Sequence, residues 1–190
     1  DRELDLTKTL FIVASKSGGT AETLSFYKYF YHRVAETLAA AGSPDLDEVG
    51  AHFVAITDPH SKLLDEADAY GFRAVFINDP TVGGRYSALT YFGVIPAALL
   101  GVDLTMLLDR ASRAREDAAA VALELGVAMG ALAKAGRDKL TLIVPEELAN
   151  FGDWVEQLVA ESTGKQGVGI LPVVDEPLAV PVDVVYGADR

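Results

Sequence analysis

The sequence predicts an α/β fold: a doubly wound, mostly parallel sheet with flanking helices, arranged as two lobes. Three observations predict it. Apolar runs of strand length alternate with helix-period segments as far as Leu100. The alternation resumes at Lys139, after a long Ala-rich helical stretch. The chain has 190 residues, half of them hydrophobic, which is ample material for one large domain or two small lobes. The expected division is 1–101 for a first lobe and 102–190 for a helical connection and the start of a second, the two meeting near Arg85.

The first strand is the run Leu10-Phe11-Ile12-Val13-Ala14. A loop of small hydroxyl residues and two glycines follows, Ser15-Lys16-Ser17-Gly18-Gly19-Thr20. Leu24, Tyr27, Tyr31, Val34 and Leu38 then recur at spacings of three and four, the signature of a helix with one apolar face. Strand, tight loop and helix together aim backbone N–H groups and the positive end of the helix dipole at one spot. Ser15, Ser17 and Thr20 add hydroxyl donors and Lys16 adds a charge, so the spot suits a phosphate. The competing reading is an ordinary βα turn with Thr20 as N-cap. The loop is neither a Walker A sequence nor GxGxxG, so it implies no nucleotide.

Gly42-Ser43-Pro44-Asp45 marks a stop and a turn. Residues 49–57 (VGAHFVAIT) predict a buried strand ending in the turn Asp58-Pro59-His60. Ser61 is placed to cap a short helix through Leu64 and Ala67 that ends at Gly71, and residues 72–77 (FRAVFI) predict the next strand. Val82-Gly83-Gly84-Arg85-Tyr86-Ser87 comes next, ahead of an apolar helix reaching about Leu100. Two glycines permit a sharp turn and a close backbone approach to a ligand. Arg85 behind them is suited to bidentate pairing with an oxyanion, or to a structural pair with a nearby carboxylate.

Residues 103–135 predict helix, as two segments meeting near Arg115-Glu116-Asp117. Residues 139–144 (KLTLIV) predict a strand, and residues 150–162 a helix whose core face is Phe151, Val155, Leu158 and Val159. Gln157 and Glu161 stand one above the other on a neighbouring face, near Trp154. Glu161 lies in the last turn, where a carboxylate meets the negative end of the dipole; Lys165 can offset this as a surface ion pair. If the carboxylate is instead partly buried beside the indole, its pKa rises and suits it to proton abstraction. Residues 168–173 and 180–186 predict two further strands.

The formal net charge of −12 argues against nucleic acid or an anionic membrane surface as partner. There is no cysteine, which excludes disulfide and thiolate chemistry. No apolar run approaches the roughly 20 residues of a membrane span, and no signal peptide opens the chain, so a cytoplasmic location is expected. The three histidines, His32, His52 and His60, are not paired at metal-ligand spacing, so no metal is expected. The chain starts at Asp1 and enters a strand almost at once, which suggests a fragment of a longer protein.

Three segments carry a family resemblance. SKSGGTAET (15–23) resembles the phosphate loop of the phosphoglucose isomerase family, VGGRYS (82–87) its arginine signature, and Gln157 with Glu161-Ser162-Thr163-Gly164-Lys165 its Q-x-x-x-E-S-x-G-K segment. They occur in family order and cover roughly residues 10–165. Residues 151–165 (FGDWVEQLVAESTGK) are further similar to the isomerase half of transaldolase–phosphoglucose isomerase fusions. The resemblance implies a sugar-isomerase fold and interconversion of glucose 6-phosphate and fructose 6-phosphate through a cis-enediol, in a homodimer and without a cofactor. It implies that Ser15, Lys16, Ser17 and Thr20 hold the sugar phosphate, with Gly84 beside Arg85 at the substrate. Arg85 would stabilise the enediolate, Glu161 would move the proton between C2 and C1, and Gln157 would help position the sugar. The alternative is a non-catalytic sugar-phosphate sensor of the same fold.

The sequence departs from the family in places. Gly18 and Gly19 replace bulkier loop residues, and Pro80 stands where an acidic or small polar residue is usual, with Asp79 one position early. The family's upstream Gly-Gly-Ser loop and its downstream ring-opening His and Lys have no counterpart between Asp1 and Arg190, so this chain alone is expected to lack a complete active site.

Overall fold

In a computed structural model of the chain, residues 4–42, 46–176 and 187–189 are described. Two compact units emerge, Asp1–Leu104 and Thr105–Arg190. Each is taken by itself.

The first unit is built on a parallel sheet of β1 (Phe11–Ala14), β2 (Phe53–Thr57) and β3 (Ala74–Ile77), in that spatial order. The register sets Val13 beside Ala55 and Thr57 beside Ile77. All five residues of β2 are buried, as expected for a central parallel strand covered on both faces. Alternation along β2 sends Phe53 and Ala55 to one face and Val54 and Ile56 to the other. On the first face lies helix α1 (Ala21–Ala40), which buries Tyr27 and Val34. Leu24, Tyr31 and Leu38 pack on the same core, so the predicted face is the observed one. Phe11, Phe30, Phe53 and Phe72 join Tyr27 and Tyr31 in an aromatic cluster with ring centroids 4.8–5.8 Å apart. Tyr27 and Phe53 are buried, and Phe11, Phe30, Tyr31 and Phe72 pack against the same core partly buried.

The predicted strand at 49–57 begins later. Val49 and Gly50 belong to a short helix, α2 (Leu46–Gly50), and only Phe53–Thr57 is extended. Gly50 explains the difference: a Cβ there would meet the carbonyl oxygen of Tyr70 at 2.1 Å, so the end of α2 is pressed against the end of the next helix. That helix, α3 (Lys62–Ala69), starts as predicted, with the Ser61 hydroxyl accepting from Leu64 N at 3.1 Å. After β3 the chain forms a 3-10 helix (Gly84–Leu89) and then α4 (Tyr91–Leu99).

The second unit holds α5 (Leu104–Asp117) and α6 (Ala119–Lys134), which meet where predicted. Strand β4 (Lys139–Thr141), a 3-10 helix (Glu146–Leu148), helix α7 (Ala149–Thr163) and strand β5 (Leu171–Val173) complete its described elements, with β4 and β5 parallel. The expected core face of α7 needs one correction. Phe151 is exposed, while Gly152 is buried and lets the helix close on Val174. Val155, Leu158 and Val159 are half-buried as expected. The strand predicted at 180–186 and part of the turn at 42–45 lie outside the described residues.

Candidate active site

Loop 15–20 leaves the carboxyl end of β1 and enters α1. Ser15 is buried, with its hydroxyl accepting from Gly18 N at 3.1 Å, and the Ser17 hydroxyl accepts from Gly19 N at 3.1 Å. Each hydroxyl is thus oriented by accepting a backbone N–H, which leaves its own proton to point elsewhere. Thr20 is the N-cap of α1 but makes no side-chain cap; its hydroxyl sits 3.5 Å from that of Ser15. The ordinary side-chain-capped turn is therefore not what forms at the start of α1.

The floor of this loop comes from the β2–α3 turn, where Thr57 is fully buried. Its hydroxyl donates to Ser15 O at 2.7 Å, and Ser61 Oγ lies 2.6 Å away. Ser17 O accepts from Lys62 N at 3.3 Å and Lys16 O from Asp58 N at 3.2 Å. Gly18 takes a left-handed φ of +66°, and a Cβ there would meet Leu63 N at 2.3 Å. The glycine that departs from the usual family residue is therefore required here by both backbone and space.

Lys16 extends to the next loop. Its ammonium lies 2.6 Å from Asp58 Oδ2 and donates to the Val82 carbonyl at 2.7 Å. Asp79 closes its own turn by accepting from Thr81 N at 2.9 Å and Thr81 Oγ1 at 2.7 Å, bonds that lower its carboxyl pKa. Asn78 is buried and accepts from Tyr91 N at 3.0 Å, which fixes the start of α4. Between these ties lie Gly83, Gly84 and half-buried Arg85, whose guanidinium carbon is 5.9 Å from the Tyr86 ring centroid. The turn expected of the two glycines forms without a left-handed residue: Gly83 is extended, Gly84 opens the 3-10 helix, and Tyr86 N donates to Gly83 O at 3.0 Å. A Cβ on Gly84 would meet nothing within 4 Å, so this glycine leaves bare, open backbone beside Arg85.

In the second unit Gln157 Nε2 donates to Glu161 Oε1 at 3.3 Å, the stacking the spacing predicts. Both side chains are exposed, so burial beside Trp154 is not the device that sets the Glu161 carboxyl. Helix α7 ends at Gly164, whose N–H donates to Ala160 O at 2.8 Å. His52 Nδ1 pairs with Thr9 O at 2.9 Å, and His32 lies 3.1 Å from Glu36. No group of three or more His, Asp or Glu able to hold a metal occurs among the described residues.

Sequence reasoning missed Thr57, Asp58 and Asn78. All three follow or end a strand with a small polar side chain, and that position was the available signal.

Parallel strands with a hydroxyl-rich loop at one carboxyl end and an arginine-bearing loop at another define an α/β protein with polar loops gathered at the carboxyl ends of its strands. The model of the phosphoglucose isomerase family matches residues 2–170, and the chain belongs to that family. It is 38% identical over 176 residues to a probable glucose-6-phosphate isomerase of Natronomonas pharaonis, covering 90% of this chain and 39% of the relative. The glucose-6-phosphate isomerase of Rubrobacter xylanophilus is 34% identical over 168 residues, covering 84% and 37%. A crystal structure of a hypothetical protein from Thermus thermophilus superposes with a TM-score of 0.79 at 33% identity, covering 90% of this chain and 42% of that one. A glucose-6-phosphate isomerase structure from Chlamydia trachomatis gives 0.58 at 25% identity, covering 91% and 34%. The chain thus spans about two fifths of the length of the curated relatives.

Proposed function

We propose that this chain acts within a longer aldose–ketose isomerase that interconverts glucose 6-phosphate and fructose 6-phosphate. The observation that carries the proposal is the α1 N-terminus without a side-chain cap, ringed by the Ser15, Ser17 and Thr20 hydroxyls. It suits the phosphate of a sugar phosphate, with Lys16 at its edge. Arg85, beside the bare backbone of Gly84, has the chemistry to stabilise an enediolate oxygen. Glu161, held by Gln157, has the chemistry of the base that carries a proton between C2 and C1. No step of this sequence requires a metal or an organic cofactor.

In this proposal residues 1–101 form the first sugar-isomerase lobe, and 102–190 the helical connection and start of the second. The protein works as a homodimer in the cytoplasm, with neither nucleic acid nor membrane as partner. The charge of −12 supports the exclusion of polyanions, and no described helix is long and apolar enough to cross a membrane. A non-catalytic sensor of the same fold is the second reading. The Gln157–Glu161 pair speaks against it, because a carboxylate repels an anionic ligand that a sensor only needs to hold.

The test is turnover of fructose 6-phosphate to glucose 6-phosphate by the full-length protein, read by coupled assay. Saturable binding of fructose 6-phosphate without turnover would establish the sensor instead.

A further inference from the structure

We propose that Asp58 is a positioning residue: through the Lys16 ammonium it straps the phosphate loop to the loop that carries Arg85. The inference rests on the isomerase reading for its kinetic consequence, but not for the strap itself.

The geometry is that of one cation shared by two loops. Lys16 Nζ lies 2.6 Å from Asp58 Oδ2 and donates to the Val82 carbonyl at 2.7 Å. The Lys16 side chain is 31% exposed and that of Asp58 14%, so solvent screens the pair only in part. Asp58 follows β2 directly, and its N–H donates to Lys16 O at 3.2 Å. The same residue thus grips Lys16 at both main chain and side chain. A lysine ammonium carries three protons, so it can serve both acceptors at once.

The two loops depend on the strap unequally. The phosphate loop has other ties: Thr57 to Ser15 O, Lys62 N to Ser17 O, and Gly18 seated on Leu63. Val82, three residues before Arg85, has as its other described backbone bond the one to Asp79 O within its own turn, at 3.2 Å. Loosening the strap therefore releases the Val82 carbonyl, while the phosphate loop keeps its main-chain ties to Thr57 and Lys62. Asp58 acts on the reaction mainly through the loop of Arg85, since Lys16 keeps its place on the phosphate loop through its own main-chain bond to Asp58 N.

The experiment uses the full-length protein and two readouts. The first is the rate of acylation of Lys16 by an amine-reactive ester, followed by mass spectrometry, with Lys8 as the exposed reference at 82%. Lys16 should react about tenfold more slowly than Lys8 in the wild type, and Asp58→Asn should remove most of that protection. The second readout is kinetic. Asp58→Asn should lower kcat about tenfold while KM for fructose 6-phosphate and inhibition by inorganic phosphate stay within about twofold. Asp58→Glu, which keeps the charge, should recover most of kcat. Lys16 labelling as fast as Lys8 in the wild type overturns the strap without any variant having to fold. An unchanged kcat, or kcat and KM worsening together, overturns the positioning role. Should the wild type not turn over sugar phosphate, the isomerase reading fails, and the labelling still decides whether Asp58 holds Lys16.

Discussion

Thr57 and Ser15 are joined across adjacent strand ends by a hydroxyl that donates to a carbonyl at 2.7 Å. The Thr57 hydroxyl has a single proton, so the 2.6 Å contact to Ser61 must have Ser61 as donor. Ser61 in turn accepts from Leu64 N. A directed chain of hydrogen bonds therefore runs from the N-terminus of α3 to the 15–20 loop. Thr57→Val keeps the shape and removes the link, leaving buried polar partners unsatisfied. It should cost about 1–3 kcal/mol in stability, measured by denaturant unfolding. A loss below the resolution of that measurement would show the relay to be incidental.

Gly18 carries the strongest local demand in the loop. Alanine at this position combines a left-handed φ with a Cβ 2.3 Å from Leu63 N. Gly18→Ala should lower stability by about 1–3 kcal/mol and weaken sugar-phosphate binding, because the loop must move off α3. Gly19→Ala is the control, since its nearest neighbour, the Ser17 hydroxyl, is 3.4 Å from the added Cβ. Paired thermal melts of the two variants give the comparison. Equal melting temperatures would mean that the loop is not seated as described.

The pattern of what the sequence disclosed follows from the range of the forces involved. Helix α1 and the Ser61 cap of α3 were legible because period and capping act over a few residues. The 49–50 segment misleads because Val49 continues an apolar run, while its helix is set by a distant contact of Gly50 with Tyr70. Arg85 and its glycines were visible as a motif, but their turn chemistry was not, since neither glycine uses the conformation that makes glycine special. Asp58 and Asn78 were silent because their partners, Lys16 and Tyr91, are 42 and 13 residues away.

The loop hydroxyls should be felt in binding. Ser17 and Thr20 are exposed at the mouth of α1, and Ser17 is oriented by Gly19 N. A Ser17→Ala/Thr20→Ala double variant of the full-length protein should bind fructose 6-phosphate at least about tenfold more weakly by calorimetric titration, given the strength of hydrogen bonds to a charged group. Equal affinity in both proteins would remove the phosphate from this loop.

Tyr27 gives the first unit a sensitivity to alkali. Burial, and then the Glu66 carboxylate beside it, push its phenol well above the ordinary value of about 10. Above that pH the unfolded chain gives up the Tyr27 proton while the folded chain retains it. The folded state then binds more protons, so stability present below pH 10 is lost as pH rises. Unfolding midpoints of the wild type should therefore fall more steeply above pH 10 than those of Tyr27→Phe. Parallel curves for the two proteins would rule out Tyr27 as the cause.

Glu161 is the residue to which the isomerase proposal gives the proton. It sits in the last turn of α7, where the helix dipole disfavours a negative charge, and Gln157 holds its Oε1 from one turn below. A carboxylate kept at an unfavourable place and oriented by a neutral amide is suited to accept and return a proton. Glu161→Gln removes the base while keeping its size. In the full-length protein it should retain sugar-phosphate binding, since one charge that repels the ligand is gone. It should slow exchange of the C2 proton of glucose 6-phosphate with solvent by about 10²- to 10⁴-fold, the usual contribution of a general base. Exchange is the right measurement because it reports the proton step separately from ring opening. Gln157→Ala leaves the carboxylate but frees its orientation, so a smaller loss is expected there. Wild-type exchange in Glu161→Gln would make Glu161 a surface carboxylate and hand the proton step to another residue.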